Sequence, residues 1–459
     1  MIIGTTTSVC PVCLKTIPAN KIVKENNHIY LDKTCPEHGD FSTLVWEGSA
    51  DSYQAWDRNS VASEPPVNAK PVEKGCPNDC GLCEEHLRKG CCMLLELTNR
   101  CNLHCPVCFA SAGDQTPSDL SLEEIEKQYD FLMAHGGPFN IQLSGGEPTM
   151  RDDLPAIIRL GRSKGFNFFQ LNTNGIRLAE TPSYARELKE AGLNTVFLQF
   201  DGLLDKTYKI LRGRELLDEK LMAIHNCAVA GLGVVLVPVI APDVNVKEIG
   251  HILHFAMNNI PAVRGVHFQP VSYFGRCKLD EPAMRITIPK MLREIESQTN
   301  GLMKVSDFGS GGAENPYCSF HASYMRRKDG SLRALAQKDS QCCCTTSDDS
   351  RTFVANQWTG IEKTSDCCCE PKAKTSAESC CCETPSKSEV TEWASFDEFL
   401  EQARLNTFTV SGMIFQDAFN LDLDRLKRCY ICEVDSRYGM VPFCAYNLTD
   451  LNGKSLYRK

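Results

Sequence analysis

Residues 98–113, TNRCNLHCPVCFASAG, place three cysteines within eight positions, directly after the apolar run CMLLELT at 92–98. The run predicts a buried strand, so the cysteines fall in the loop at its carboxyl end. Cys101, Cys105 and Cys108 follow the spacing C-x3-C-x2-C. Three thiolates from one loop can bind three irons of a [4Fe–4S] cube and leave the fourth iron open to another ligand. Taken alone, the same spacing is also compatible with a zinc site.

Five further apolar runs follow, and each predicts a buried strand. They are FNIQLSG at 139–145, NFFQLNT at 167–173, TVFLQFD at 195–201, GVVLVPVI at 233–240 and VRGVHFQPV at 263–271. Helical patterns lie between them, and the first begins with Ser121 and Glu124 at capping-box spacing. Six strands that alternate with helices predict an α/β fold, in which a parallel sheet closes or partly closes into a (β/α)6 barrel.

Polar motifs follow the second, third and fourth strands, where a barrel places its chemistry. They are SGGEP at 144–148, LNTNG at 171–175 and LQFDG at 198–202. Glycine lets the backbone approach a ligand closely, and Gln199 and Asp201 are predicted to reach a ribose. The candidate cofactor-binding residues are Gly145, Gly146, Glu147, Pro148, Asn172, Asn174, Gln199 and Asp201.

The cysteine triad, the SGGEP segment and the strand–helix rhythm together resemble the radical S-adenosylmethionine (SAM) superfamily. The resemblance implies a [4Fe–4S] cluster on the triad, with the amine and carboxylate of SAM on its open iron and the SGGEP segment at the SAM amino group. It also implies an external one-electron reductant of flavodoxin or ferredoxin type. SAM would then be cleaved to a 5′-deoxyadenosyl radical, which abstracts hydrogen from an unreactive C–H bond.

A narrower resemblance comes from two more segments. CPNDCGLCEEHLRKGC at 76–91 and MVPFCAYNL at 440–448, taken with the triad, resemble the class D radical SAM methyltransferases, a group that includes pterin methyltransferases and tetraether lipid synthases. The resemblance covers residues 1–320 and about 393–450, and implies C-methylation or C–C bond formation at an unactivated carbon of a small molecule or lipid. A lipid acceptor requires an apolar tunnel and a pterin requires convergent polar groups, and the sequence leaves both open.

The same resemblance implies one or two auxiliary [4Fe–4S] clusters. The first would use the four cysteines of the 76–91 segment, with Cys92 as an alternative to Cys91 for the last ligand. The second would use three cysteines of the tail and one from the motif NPYCSFH, although these thiols could instead be buried as apolar groups. The candidate ligands are Cys76, Cys80, Cys83 and Cys91 for the first cluster, and Cys318, Cys429, Cys432 and Cys444 for the second.

The N-terminal motifs CPVC and CPEHG predict a separate metal-binding knuckle. Cys10, Cys13 and Cys35 supply three thiols at spacings that suit tetrahedral zinc or a mononuclear rubredoxin-like iron. His38 is the candidate fourth ligand, and the alternative is that it only forms a hydrogen bond in the turn. A metal ion would stabilise a unit too small to hold itself together by burial.

These motifs divide the chain into seven predicted segments. Residues 1–48 form the knuckle, 49–75 a linker, 76–91 the auxiliary-cluster segment, 92–300 the radical SAM barrel, and 301–335 a connection to the tail. Residues 336–392 carry three cysteine triplets in a polar, low-complexity tract, predicted to be a mostly disordered insertion. Capture of a soft metal and incidental thiols remain open readings of the triplets. Residues 393–459 form the C-terminal auxiliary iron–sulfur extension.

Composition limits the remaining possibilities. The net charge of −9 argues against a nucleic-acid-binding surface, and no apolar window of membrane-spanning length is present. The N-terminus lacks the pattern of a signal peptide, so we expect a cytoplasmic protein, in which 26 cysteines indicate metal sites more than disulfides. Two other functions stay open: a peptide maturase, whose SPASM signature is incomplete here, and a non-catalytic iron–sulfur scaffold.

Overall fold

The computed structural model describes residues 1–57, 63–113, 119–277, 279, 285–311, 314–335, 351–352, 355, 358–359 and 402–458. The N-terminal residues form an antiparallel sheet in the order β1-β2-β3-β4, with β1 Ile2–Val9, β2 Thr16–Val23, β3 Ile29–Cys35 and β4 Gly39–Trp46. A short helix, α1 Ala50–Trp56, follows and is capped by the Ser49 side chain.

The remaining strands are, in chain order, β5 Cys92–Thr98, β6 Val107–Cys108, β7 Asn140–Gly145, β8 Phe169–Thr173, β9 Thr195–Gln199, β10 Gly233–Val237, β11 Val239–Ile240, β12 Val263–Pro270, β13 Arg276–Cys277, β14 Ser319–Arg326, β15 Leu332–Ala334, β16 Thr407–Met413, β17 Ile431–Asp435 and β18 Gly439–Pro442. The remaining α-helices are α2 Leu122–Ala134, α3 Leu154–Ser163, α4 Ile176–Glu180, α5 Pro182–Ala191, α6 Asp205–Arg212, α7 Leu217–Val229, α8 Ile249–Asn258, α9 Ile288–Gln298, α10 Leu423–Leu426 and α11 Phe443–Tyr446.

The six predicted strands form one continuous parallel array in the order β12-β10-β9-β8-β7-β5. This confirms the predicted α/β class and the strand–helix alternation. Alternate strand residues such as Ile141, Leu143 and Leu171 join a large apolar core with helix residues including Ile157 and Leu188. The other alternate residues therefore face the inside of the array. The predicted capping box at the start of α2 is also present.

The tail adds strands to both edges of this array, which the sequence does not predict. Strand β16 pairs in parallel with β12, and β17 pairs in parallel with β5 at the opposite edge. Antiparallel neighbours extend each edge, so that β15 and β18 are the outermost strands. Within the described ranges no ladder joins these two strands, and the barrel is partly closed.

The N-terminal sheet packs on the tail through buried polar contacts. The Lys33 ammonium donates to the Ala418 carbonyl at 2.7 Å, and the Ser8 hydroxyl donates to the Leu421 carbonyl at 2.5 Å. Burial lowers the pKa of Lys33 to about 7. The knuckle is therefore fixed to the segment that also supplies the outer strands.

Part of the predicted insertion is packed against the barrel. Arg351 is buried and donates to the carbonyls of Gly90, Gly136 and Pro138 at 2.9, 3.2 and 3.1 Å. The Trp358 ring, also buried, meets Phe197 edge to face with 5.8 Å between ring centroids. The prediction of a disordered insertion is wrong for these residues, because a cation and an indole bury against the sheet. All three cysteine triplets lie outside the described residues.

Candidate active site and metal centres

The loop after β5 carries the cysteine triad on a shared apolar base. Cys105 is buried in one cluster with Leu103 and Tyr208, and Cys101 and Cys108 pack against the same cluster. The Leu103 amide donates to the Cys101 sulfur at 3.4 Å. Burial raises the pKa of Cys101 to about 12. The thiols must therefore lose their protons when metal binds, and loading of this site is coupled to proton release.

A buried ion pair holds this loop from below. The Nε and Nη2 atoms of Arg212 donate to the Asp201 carboxylate at 2.6 and 2.8 Å. The third guanidinium nitrogen, Nη1, donates to the Val107 carbonyl at 3.1 Å. Burial raises the pKa of Cys105, and the Arg212 charge opposes that rise. The Val239 amide also donates to the Asp201 carboxylate. The prediction that Asp201 reaches a ribose is wrong, because its fully buried carboxylate is taken up by these donors.

The glycines of SGGEP allow two chain segments to touch. A Cβ atom at Gly145 would collide with the Thr98 carbonyl, and one at Gly146 would collide with the Arg100 carbonyl. The Gly146 amide donates to the Thr98 carbonyl at 2.7 Å. We expected these glycines to let the backbone approach a ligand. They instead let it approach the protein's own cysteine loop. Pro148 is buried and begins a 3-10 turn.

Glu147 links SGGEP to the next polar motif. Its carboxylate accepts hydrogen bonds from the Thr149 hydroxyl, the Thr173 hydroxyl and the Asn174 amide, each at 2.7 Å. The Asn174 side chain in turn donates to Asn102, inside the cysteine loop, at 2.7 Å. Three loops at the carboxyl ends of β5, β7 and β8 are therefore joined by one polar network.

A buried lysine that the sequence did not flag completes this network. Lys220 on α7 is fully buried and donates to the Asn174 carbonyl and, at 3.3 Å, to the Gln199 side chain. Burial lowers the pKa of Lys220 to about 8, although the negative charge of Asp201 opposes the shift. Asn172 accepts from Gln170 at 2.7 Å and lies farther down the barrel. Helical periodicity places Lys220 on the same face of α7 as the buried Ala223, Ile224 and Cys227, although a charged side chain is usually exposed.

The four residues of the N-terminal knuckle converge. The ligand atoms of Cys10, Cys13, Cys35 and His38 all lie within 4.8 Å of one another, and His38 Nδ1 is 3.4 Å from the Cys35 sulfur. Burial raises the pKa of Cys35, but hydrogen bonds from the Glu37 backbone and the His38 ring outweigh it and lower the pKa to about 6. A compact set of three sulfurs and one nitrogen fits a single tetrahedral ion.

The first auxiliary segment brings three of its four predicted ligands together. Cys76, Cys80 and Cys83 line one cavity, which His86 also lines. Burial lowers the pKa of His86 to about 4. Cys91 is not among the lining residues, and its sulfur is instead 3.8 Å from that of Cys92. The expectation that Cys91 joins this group is wrong, because the strand β5 begins there and carries both thiols away.

The tail cysteines differ in their surroundings. Arg425 donates to the Cys318 sulfur at 3.4 Å, and the negative charges of Cys318 and Cys429 both raise the pKa of Cys444 in addition to its burial. These three thiols therefore lie near one another. Cys432 is fully buried in the main apolar core of the barrel. The negative charge of Cys429 raises the pKa of Cys432 in addition to its burial, so this thiol also lies near the group, although it packs among apolar side chains.

Comparisons with known proteins identify the family of this chain. Residues 95–256 match the radical SAM superfamily, and residues 2–47 match the HMPTM N-terminal zinc ribbon domain. The 7,8-dihydro-6-hydroxymethylpterin dimethyltransferase of Methanocaldococcus jannaschii is 35% identical, over 96% of this chain and 93% of that protein. GTP 3′,8-cyclase 3 of Mycobacterium bovis is 28% identical, over 67% of this chain and 77% of that protein.

A solved structure of Streptococcus suis SuiB bound to SAM covers 46% of this chain and 47% of its own, with 16% identity and a TM-score of 0.40, too low to carry an argument. No helix within the described ranges is long and apolar enough to cross a membrane.

The three-cysteine loop on its apolar base fits the [4Fe–4S] cluster that reductive cleavage of SAM requires, and the N-terminal cysteines fit the metal of a zinc ribbon. The chain therefore belongs to the radical SAM superfamily, as an enzyme in the family of 7,8-dihydro-6-hydroxymethylpterin dimethyltransferase.

Proposed function

We propose that this radical SAM enzyme methylates a carbon of a reduced pterin of the 6-hydroxymethyl type. The observation that carries the proposal is the 35% identity to the pterin dimethyltransferase across 93% of that protein's length. When bound, the cluster and SAM supply the 5′-deoxyadenosyl radical that abstracts hydrogen from the substrate carbon. A row of amide side chains inside the barrel supports a pterin over a lipid acceptor.

A row of amide side chains crosses the inside of the barrel. Gln170 donates to Asn172 on the same strand at 2.7 Å, and Asn172 donates to Gln142 on the neighbouring strand at 3.4 Å. Their strand neighbours Ile141 and Leu171 belong to the core on the helix side, so the amides face inwards. Amides offer both donors and acceptors, which suits the N–H and carbonyl groups of a pterin edge and gives a lipid chain nothing to contact.

A buried carboxyl group at the edge of the same interior has no partner. Both carboxyl oxygens of Glu433 on β17 lack a hydrogen bond in the described part of the chain. Burial, and then the neighbouring Glu96, raise the pKa of Glu433 well above its usual range. Glu96 itself is paired with Arg458 at 2.6 and 2.9 Å. An unsatisfied buried polar group is costly unless a ligand supplies the missing partner.

The chemistry of the pterin ring offers that partner. Its 2-amino group and the adjacent ring N–H form two parallel donors, which match the two oxygens of a carboxylate. We infer that Glu433 pairs with this edge of the ring, and that the amide row contacts its other polar atoms. Binding of two donors would favour the ionised carboxylate, so the empty site would release a proton as the pterin enters.

The other parts of the chain have supporting roles in this proposal. Cys101, Cys105 and Cys108 are the proposed ligands of the radical cluster, and the loop that contains Asn174 and the side chain of Gln199 are the proposed SAM contacts. The N-terminal knuckle would hold zinc, and the auxiliary groups would hold one or two further clusters. A flavodoxin or ferredoxin would deliver the electron, and this demand for reduced thiols and a low-potential donor suits the cytoplasm.

The decisive experiment incubates anaerobically reconstituted, reduced protein with SAM and 7,8-dihydro-6-hydroxymethylpterin. Because the methyl carbon can come from SAM or from a folate-bound one-carbon group, parallel reactions contain methyl-labelled SAM or a labelled methylene folate. We expect 5′-deoxyadenosine together with a labelled, methylated pterin by mass spectrometry. Formation of 5′-deoxyadenosine without a methylated pterin, with either methyl donor, would contradict the proposed pterin substrate. It would leave the radical SAM assignment intact.

A Glu433→Gln variant tests the recognition step separately. We expect the KM for the pterin to rise at least tenfold, while SAM cleavage without pterin stays unchanged. Calorimetry in two buffers of different ionisation enthalpy should show proton release on pterin binding to the wild type, and none in the variant. An unchanged KM would remove Glu433 from the site.

A further inference from the structure

We propose that His86 is the fourth protein ligand of an iron–sulfur cluster held by Cys76, Cys80 and Cys83. The inference rests on the auxiliary cluster proposed above and is independent of the pterin substrate. It replaces the fourth thiolate, from Cys91 or Cys92, that the family resemblance implies. The resulting pattern is C-x3-C-x2-C-x2-H, over residues 76–86 of the 76–91 segment.

The position of His86 is set by the chain immediately before it. Its backbone amide donates to the Cys83 carbonyl at 2.9 Å, which turns the ring back towards the cysteines. The ring is 95% buried and lines the same cavity as the three thiols. The tail residues Leu426 and Lys427 form another wall of that cavity. A histidine is therefore enclosed with three soft ligands, not on the surface.

The hydrogen bonding of the ring leaves one nitrogen for a metal. His86 Nε2 donates to the carbonyl of Cys429 at 2.6 Å, because a carbonyl oxygen can only accept. In a neutral imidazole the lone pair then belongs to Nδ1, which forms no hydrogen bond with any described residue. Metal-binding histidines commonly hold their second nitrogen on a backbone carbonyl in this way, which orients the ring.

The competing thiols point elsewhere. The Cys91 sulfur accepts a hydrogen bond from the Cys92 thiol at 3.8 Å, and its charged neighbours are Arg351 and Glu314. Its backbone amide is held by the Tyr430 carbonyl at 2.7 Å. Moving Cys91 into the cavity would break the start of β5, whereas His86 is already there.

The spread of the ligand atoms favours a cluster over a single ion. The group that includes Cys10 and His38 is the one in the described ranges whose ligand atoms all lie within 4.8 Å. The ligand atoms of Cys76, Cys80, Cys83 and His86 do not all lie within this distance of one another, which a cluster with several irons accommodates better than a single ion does. A histidine ligand raises the potential of an iron–sulfur centre relative to thiolate. Its bond to the Cys429 carbonyl would connect this centre to the tail cysteines.

The test uses a background that lacks the three triad cysteines, with zinc loaded at the N-terminal site so that no other histidine touches paramagnetic iron. Reduced samples carrying 15N-histidine or ordinary histidine are compared by pulsed electron paramagnetic resonance. We expect a directly bound nitrogen coupling that changes with the isotope. His86→Cys should keep the iron content, abolish that coupling and lower the midpoint potential of one cluster.

Matched variants make each result decisive. Cys91→Ser should leave the iron content and the nitrogen coupling unchanged. A coupling absent from the background protein, or still present in His86→Cys, would overturn the assignment. If Cys91→Ser loses the cluster and the background protein shows no nitrogen coupling, the fourth ligand is the Cys91 thiolate and not His86. A Cys83→Ser variant with unchanged iron content would refute the cluster itself, a failure that leaves the pterin experiment unaffected.

Discussion

At the scale of single residues, buried charges determine how the catalytic loop is held. Arg212 and Asp201 form a fully buried ion pair whose guanidinium also reaches the carbonyl of the cysteine loop. Such a pair contributes little net stability against an apolar replacement, but removal of one partner leaves an uncompensated charge. The pair therefore fixes geometry: it holds the thiol of Cys105 beside a permanent cation.

We predict that Arg212→Ala lowers the free energy of unfolding by about 3–5 kcal/mol, because Asp201 stays buried without its partner. Anaerobic urea denaturation measures the loss, and iron per chain should fall as well. The control is Lys209→Ala, which breaks the exposed pair with Glu215 and should change little. Equal midpoints for the two variants would contradict the structural role of the buried pair.

The raised pKa of Glu433 predicts that the free energy of unfolding depends on pH. Its pKa is raised in the folded protein, so the folded state keeps a proton that the unfolded state releases above a pKa of about 4.3. The unfolded chain then binds fewer protons, and the free energy of unfolding falls as pH rises, by up to about 1.4 kcal/mol per unit. Glu433→Gln should show a shallower decline in urea titrations at pH 6, 7 and 8. Parallel slopes would count against a neutral Glu433.

At the scale of elements, close backbone approach joins the loops at the carboxyl ends of the strands. The SGGEP turn rests on the cysteine loop, and Glu147 joins it to the loop after β8. Because each loop leaves a strand of the same parallel array, their ends meet at one edge without any long-range signal in the sequence. The cysteine loop is therefore positioned by backbone contacts as well as by its own residues.

Gly146→Ala tests this contact. The added Cβ would collide with the Arg100 and Asn99 carbonyls, and we expect a loss of about 1–3 kcal/mol from the forced shift. Iron per chain and SAM binding should decrease together. Gly4→Ala is the matched control, since its Cβ would meet only the flexible Lys21 side chain at 3.7 Å. Full SAM affinity in Gly146→Ala would show that the loops need no such approach.

Removal of the N-terminal metal is a second test at this scale. We expect Cys13→Ser to lose about one metal ion per chain, measured by elemental analysis, with the iron of the barrel retained. The same analysis distinguishes zinc from iron. Limited proteolysis should then cut within residues 1–48, because burial in this small unit cannot replace the metal. Unchanged metal content would disprove the proposed ligand set.

At the scale of the whole molecule, distant segments enclose the barrel. The tail supplies a strand to each edge, and the side chains of Arg351 and Trp358 are buried against the sheet. The radical chemistry of this family requires exclusion of water from the reacting carbon. A partly closed array gains that enclosure from segments that lie outside the barrel in sequence.

We therefore predict that Trp358→Ala destabilises the protein by about 3–5 kcal/mol, as expected for a large buried side chain. Val229→Ala, at an exposed position on α7, is the control and should have little effect. Urea denaturation under anaerobic conditions measures both. A midpoint of Trp358→Ala equal to that of the control would mean that the ring contributes no packing to the barrel.

The sequence by itself determined the six-strand array and the position of the triad loop, and it predicted the N-terminal knuckle while leaving the role of His38 open. Each of these follows from local patterns, since apolar periodicity defines a strand and short spacing places cysteines in one loop. Only the tertiary structure decided the partner of Asp201, the separation of Cys91 from its expected group and the two edge strands of the tail. These contacts join residues far apart in the chain, and no local pattern encodes which of several similar side chains will meet.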